Sequence, residues 1–152
     1  MKEFLSESKV KVFLAPPADF QGQQAGAGCF CTSQGRFLLL KRADHCVYGG
    51  TWCSPGGKIE PNESKESAVQ RELMEETGIT LNVDQFEFLK TVFIRDEQFE
   101  YSFHIFRIDF QDQRPSIVLN EEHVDYKWLE LSEIWEFPLL PGEKECYRLF
   151  YG

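Results

Sequence analysis

The chain has 152 residues, 42% of them apolar, which is enough for one domain with a substantial core and too little for two ordinary ones. Sixteen basic against twenty-five acidic residues give a net charge of −9, a poor field for attracting DNA or long RNA, so a small-molecule ligand is the expected partner. The opening MKEFLSESKV has no apolar stretch of signal-peptide length, and no later run approaches the ~18 apolar residues of a membrane helix, so a cytoplasmic protein without membrane contact is expected.

In chain order, residues 10–14 read as an edge strand, followed by the loop Ala15-Pro-Pro-Ala-Asp. Residues 25–32 and 36–41 read as strands joined at Gln34-Gly35, and Phe37-Leu38-Leu39-Leu40 is continuous enough to be buried on both faces. Cys29 and Cys31 then share one strand face as small core residues. The five cysteines lack paired spacing, so reduced thiols are expected rather than a disulfide framework or a zinc site. Trp52-Cys53-Ser54-Pro55-Gly56-Gly57 follows as a loop whose paired glycines let the backbone approach a phosphate or offer a carbonyl to a metal.

Residues 63–77 read as a helix. Pro61 suits its first turn, Asn62 or Ser64 can cap it, and Gly78 ends it in the left-handed conformation. Val69 and Leu73 form an apolar edge that packs on a sheet. At ~100° per residue, Glu76 lies about 40° from Glu72 and Glu75 about 60° to the other side, so three carboxylates share one arc, with Ala68 a turn earlier leaving room for a ligand. Like charges at this spacing repel, an arrangement that makes sense when cations occupy the face.

Residues 86–94 and 99–110 read as a hairpin around Arg95-Asp-Glu-Gln. Along the second strand Phe99, Tyr101, Phe103 and Ile105 alternate before Phe106, Ile108 and Phe110 take the opposite phase, which predicts a bulge near Ile105. Glu121 and Glu122 precede a strand at 123–129 with Val124, Tyr126 and Trp128 on one face. Ser132 can cap a short helix at 133–136, and 143–150 reads as a last helix. Most aromatic residues are expected in the core, with Phe13, Phe20, Tyr48 and the loop Phe137-Pro-Leu-Leu-Pro as candidates to stack on a base. His45, His104 and His123 are too scattered to define a metal site; His104 reads as a packed sheet residue.

The segment GKIEPNESKESAVQRELMEETGI, from Gly57 to Ile79, resembles the Nudix box at every defining position: Gly57, Glu63, Arg71, Glu72, Leu73, Glu75, Glu76, Gly78 and Ile79. The resemblance extends more weakly over residues 25–135. It implies an α/β protein, a Nudix-type α/β/α sandwich with a mixed β-sheet and the box helix packed on it. It also implies hydrolysis of the diphosphate bridge of a nucleoside diphosphate joined to another group, with Mg2+ as cofactor and Mn2+ as a substitute. By the same resemblance Glu72, Glu75, Glu76 and the Gly56 carbonyl are metal ligands, Glu63 supports that site and Arg71 orients Glu72. The general base is Glu122 on its loop or, alternatively, Glu72 on the helix. Lys41, Arg42 and Gly57 are candidates to face the phosphates.

Within the box, GGKIEPNES and RELMEETGIT are closest to the MutT-like branch, which implies conversion of a (d)NTP to the (d)NMP and pyrophosphate. In that branch a purine-reading asparagine follows a Phe-Pro pair, whereas here Phe137-Pro138 leads into Leu139 and Leu140, so an oxidised-guanine preference does not follow. A nucleotide-sugar or ADP-ribose pyrophosphatase shares the box and is the alternative. A ligand-sensing Nudix domain without catalysis would usually carry a degraded box, and decapping of messenger RNA would call for a basic flank. The oligomeric state is not fixed by the sequence, which is compatible with a homodimer.

Overall fold

The computed structural model describes residues 10–97 and 99–152; the opening segment and Gln98, on which part of the reading above falls, lie outside the described residues. Eight strands form one sheet: β1 (Lys11–Phe13), β2 (Gln24–Ser33), β3 (Arg36–Arg42), β4 (Trp52–Cys53), β5 (Gly56–Lys58), β6 (Glu87–Arg95), β7 (Glu100–Asp109) and β8 (His123–Leu129). The main path runs β1-β6-β7-β2-β3-β4, with β5 paired to β2 and β8 to β3. β2 and β7 run parallel and the other pairs antiparallel, so the sheet is mixed. The helices are α1 (Lys65–Thr77), α2 (Leu131–Ile134) and α3 (Glu143–Tyr151). Among the described residues, no helix is long and apolar enough to cross a membrane.

Strand alternation explains why both faces of the sheet are covered. On β3, Leu38 and Leu40 join Cys29, Cys31, Val69 and Leu73 beneath α1, while Phe37 and Leu39 join Phe30, Ile134 and Tyr147 on the face of α2 and α3. Leu38, Leu39 and Leu40 are each 0% exposed, and each contributes roughly 2 kcal/mol by leaving water. A single covered face could not collect that from consecutive residues.

Several expected boundaries move, each for a local reason. Helix α1 starts at Lys65, because Ser64 is the N-cap and its Oγ accepts the Ser67 N–H at 3.0 Å; Pro61 and Asn62 belong to the preceding turn, Asn62 at φ 66°. Gly78 ends the helix at φ 78°. Ala68 is in the core rather than beside a ligand. The loop read at 52–57 carries two short strands. Helix α2 begins two residues early, since Glu130 and Glu133 form reciprocal capping contacts and the expected cap, Ser132, lies inside the helix.

Strand β7 keeps perfect step with β2 from Tyr101 to Asp109, so its aromatic phase change is no bulge. Odd residues up to Ile105 serve one core, and even residues from Phe106 serve the other. The irregularity lies on its neighbour, between Phe88 and Lys90 of β6. A second bulge separates β3 from β8: Lys41 pairs with Asp125 but Arg42 pairs with His123, leaving Val124 without a partner in the register. That extra residue turns His123 onto the α1 side of the sheet, with Arg42, instead of the side that plain alternation would assign.

The last helix is tied to the loop before the box. Ser54 donates its N–H and its hydroxyl to Glu143 at 3.1 and 3.2 Å, and the Tyr147 hydroxyl meets Ser54 Oγ at 2.9 Å. Burial pushes the Glu143 carboxyl up to about 7, against the two Ser54 contacts that lower it. The native state therefore keeps this proton to a higher pH than the unfolded chain does, and stability falls as pH rises from about 4.5 to 7. In urea titrations, wild type should lose on the order of 2 kcal/mol more between pH 5 and pH 8 than Glu143→Gln does. Parallel pH profiles for the two proteins would contradict this assignment.

Candidate active site

The α1 carboxylates meet the backbone of β5 and the start of β8. Glu76 is 3% exposed and accepts the Gly56 N–H at 2.9 Å; Glu72 is 9% exposed and lies against Gly57. A Cβ on Gly57 would overlap the Glu72 carboxylate, the farther oxygen standing only 2.8 Å away, and a Cβ on Gly56 would sit 2.6 Å from the Ala27 carbonyl. Gly56 is thus required by its close approach to backbone, while Gly57 leaves the Glu72 carboxylate its place.

Arg71 organises the helix end of this cluster. Its guanidinium grips Glu63 through two N–H groups at 2.7 and 2.9 Å, donates to Glu72 at 3.3 Å and Glu75 at 3.2 Å, and bonds the Lys58 carbonyl at 3.0 Å. Hydrogen bonding to Arg71 draws the Glu63 carboxyl down to about 2. Glu75 stays on the rim, with its side chain 46% exposed.

Inside the cluster the balance is reversed. Burial raises the Glu72 carboxyl despite Arg71, helped by the charges of Glu75 and Glu122. Burial likewise pushes Glu76 well above the usual carboxylate range, and Glu72 and Glu122 add to it while the Gly56 N–H and Arg42 oppose it. Among the described residues, one oxygen each of Glu76 and Glu122 and one ring nitrogen of His123 lie within 4.8 Å of one another. Acidic side chains at this spacing repel unless a proton or a cation joins them, and this oxygen-rich donor set fits a divalent metal.

The β8 end is fixed through backbone. The Glu122 carbonyl accepts from Ala43 N–H at 2.9 Å, and its own N–H bonds Asn120 Oδ1 at 3.1 Å. His123 is 4% exposed, and burial with the nearby Arg42 charge lowers its imidazole to about 4.

Of the residues singled out from sequence, Gly56, Gly57, Glu63, Arg71, Glu72, Glu76 and Glu122 come together, with Glu75 at the edge. Lys41 does not join Arg42: adjacent positions on β3 face opposite sides, and Lys58 lies near Arg42 instead. His123, whose place in the sequence suggests a loop near the cleft rather than a metal site, stands beside Glu76 and Glu122. His104 is a packed sheet residue as expected, its Nδ1 bonded to Thr91 Oγ1 at 2.7 Å. The five cysteines are free thiols, and burial pushes Cys29, Cys53 and Cys146 far from reactivity.

Beyond Gly57 the site opens into a cleft of about 580 Å³ lined by Arg42, Tyr48, Lys58, Asp96, Phe99 and Tyr101, among others. Its floor is the Phe103 ring, which fits because Gly26 and Gly28 lack side chains: a Cβ there would come within 2.9 and 2.7 Å of it. Tyr48 is held at φ 57°, a costly conformation for an aromatic residue, by Thr51, whose hydroxyl bonds the Tyr48 carbonyl at 2.7 Å. Phe13 and Phe20 pack instead against Arg95 and Phe93, and Phe137 against Trp52. Phe99, read as part of a regular strand, is 49% exposed on the cleft.

A glutamate-bearing helix packed on a mixed sheet, with its carboxylates drawn against a paired-glycine strand beside a cleft, defines a hydrolase of nucleoside diphosphate derivatives. The NUDIX domain model matches residues 22–150, and the chain belongs to the Nudix family. It is 30% identical over 125 residues to the nucleoside triphosphatase NudI of Escherichia coli (strain K12 / DH10B), covering 77% of this chain and 89% of that protein. A MutT protein from Methanosarcina mazei Go1 superposes with a TM-score of 0.69 at 27% identity, covering 82% of this chain and 88% of the other. A MutT NUDIX hydrolase from Burkholderia pseudomallei gives 0.69 at 26% identity, with coverage of 84% and 97%. The α/β Nudix sandwich and the assignment as a Nudix pyrophosphohydrolase follow.

Gly57→Ala should displace the Glu72 carboxylate while leaving both cores intact. We expect kcat to fall about 10²-fold or more, as misplacement of a reacting group does, with far-ultraviolet circular dichroism unchanged. A Gly57→Ala enzyme within threefold of wild type would mean that Glu72 need not occupy this position.

Proposed function

We propose that the protein hydrolyses a nucleoside triphosphate to the monophosphate and pyrophosphate, with Mg2+, or Mn2+ in its place, held by Glu72, Glu75, Glu76 and the Gly56 carbonyl. The observation that carries this reading is the continuity at Gly57 of the carboxylate cluster with a cleft of nucleotide size whose lining includes both cations and aromatic rings. The name of the E. coli relative, a nucleoside triphosphatase, supports the same substrate class.

The cation, when bound, neutralises phosphate oxygens and makes a water easier to deprotonate. Glu122 takes that proton, the water oxygen bonds to phosphorus, and the bridging P–O bond breaks with its electron pair leaving on pyrophosphate. Glu72 is the alternative base. Glu63 supports the site through Arg71, which fixes Glu72 and Glu75 so that only small motions are needed on substrate binding. Arg42 and Lys58 face the phosphates, while Tyr48 and Phe99 receive the base, whose π-face is satisfied by any flat ring.

Hydrolysis should require the metal and stop with EDTA. Glu122→Gln should lower kcat by about 10²- to 10⁴-fold and leave metal affinity nearly unchanged, whereas Glu72→Gln should weaken both. Single-turnover kinetics beside a metal titration of each variant separates them, and a near-normal kcat for Glu122→Gln would pass the role of base to Glu72.

The substrate assignment is tested by following products over the eight common ribo- and deoxyribonucleoside triphosphates, ADP-ribose and nucleotide sugars. Release of pyrophosphate from triphosphates is the expected result, with Tyr48→Ala and Phe99→Ala each raising KM roughly tenfold at similar kcat. Turnover confined to ADP-ribose or nucleotide sugars would replace this reading with the pyrophosphatase alternative. Binding without turnover in saturating Mg2+ would replace it with a sensing role.

A further inference from the structure

His123 has no function in the reading above, yet three observations converge on it. Its Nε2 lies 3.8 Å from Cys53 Sγ, so that nitrogen has a neighbour. Nδ1, among the described residues, is the buried side-chain nitrogen or oxygen left without any hydrogen-bond partner. Leaving such an atom unpaired in the interior costs about 1–3 kcal/mol, so a chain that buries it to 4% exposure has a use for it. Finally, the Val124 bulge is what places the ring on the α1 side, within reach of Glu76 and Glu122.

A packing role does not account for these facts together. An imidazole needed only to fill space between Cys53 and Arg42 would be replaceable by an apolar ring without an unpaired nitrogen. If Nδ1 carried a hydrogen, that hydrogen would be buried without an acceptor. With the hydrogen on Nε2 and directed at Cys53 Sγ, Nδ1 keeps its lone pair, and a ring nitrogen of His123 stands within 4.8 Å of an oxygen of each carboxylate. A positive ion held by Glu76 gives that lone pair a partner and lies beside Glu122.

We propose that His123 Nδ1 is a direct ligand of the divalent cation held by Glu76, with the base Glu122 beside it, making this a mixed nitrogen and oxygen centre. The proposal rests on the reading of the carboxylate cluster as a cation site and adds a ligand of another chemistry. Cys53 is then a positioning residue, fixing the ring and its tautomer from behind as the outer contact of a metal-bound imidazole does. Hard Mg2+ gains little from imidazole, whereas Mn2+ and Co2+ accept it readily, so the site should favour these ions more than an all-oxygen one would.

The test uses the nucleotide-free protein with Mn2+ alone in an amine-free buffer. Pulsed electron paramagnetic resonance should detect a ¹⁴N nucleus coupled to the bound Mn2+, and growth on ¹⁵N-imidazole histidine should convert that signal to ¹⁵N, without any mutation that could disturb folding. His123→Gln should abolish the coupling and weaken Mn2+ binding at least tenfold, with a smaller loss for Mg2+. Bound Mn2+ without nitrogen coupling would overturn the proposal and leave the function proposed above standing. Failure of wild type to bind Mn2+ at all would overturn both.

Discussion

The distance between helix α1 and strand β5 is the constraint on which the site depends, and two missing side chains set it. Gly56 lies so close to β2 that a methyl group would collide with the Ala27 carbonyl, and Gly57 so close to Glu72 that one would displace the carboxylate. With both absent, the Gly56 N–H reaches Glu76 at 2.9 Å and the helix can bring its acidic face onto backbone instead of onto other side chains. A longer separation would let water between the carboxylates and screen their mutual repulsion. At the observed separation the repulsion is retained, and it becomes affinity for a cation.

Keeping two glutamates under a tenth exposed is costly unless the surrounding structure resists relaxation. Here that resistance comes from the hydrophobic edge of the same helix. Val69 and Leu73, each 1% exposed, lock α1 onto β2 and β3, and Arg71 pins the solvent side through Glu63 and the Lys58 carbonyl. Stability and reactivity are therefore divided around one helix: its apolar arc supplies the first and its acidic arc the second. The two arcs cannot exchange register without exposing the core.

Much of this was legible in the sequence because it depends on local rules. Helical period placed Glu72 and Glu76 together, Gly78 ended the helix at a left-handed residue, and the unbroken apolar run at 37–40 required a sheet covered on both faces. What was not legible depends on partners distant along the chain. Which of Lys41 and Arg42 faces the site is decided by strand alternation relative to α1. The turn of His123 toward the site needs the Val124 bulge, visible only against β3. Phe99 and Tyr48 become neighbours of one cleft through pairings that no local spacing encodes. The aromatic phase change in β7 was real, but it reported a strand passing from one core to another and not a break in its ladder.

The bond between Ser54 and Glu143 also orders events in time. Its two ends are 89 residues apart, so on a ribosome moving at roughly 5–20 residues per second the loop at Ser54 emerges about 5–20 s before the carboxylate that holds it. During that interval the sheet and the box helix can assemble while the strand leading to Gly56 has no anchor on its far side. A nascent chain would thus have every glutamate of the cluster before the loop leading to Gly56 gains its anchor on the last helix.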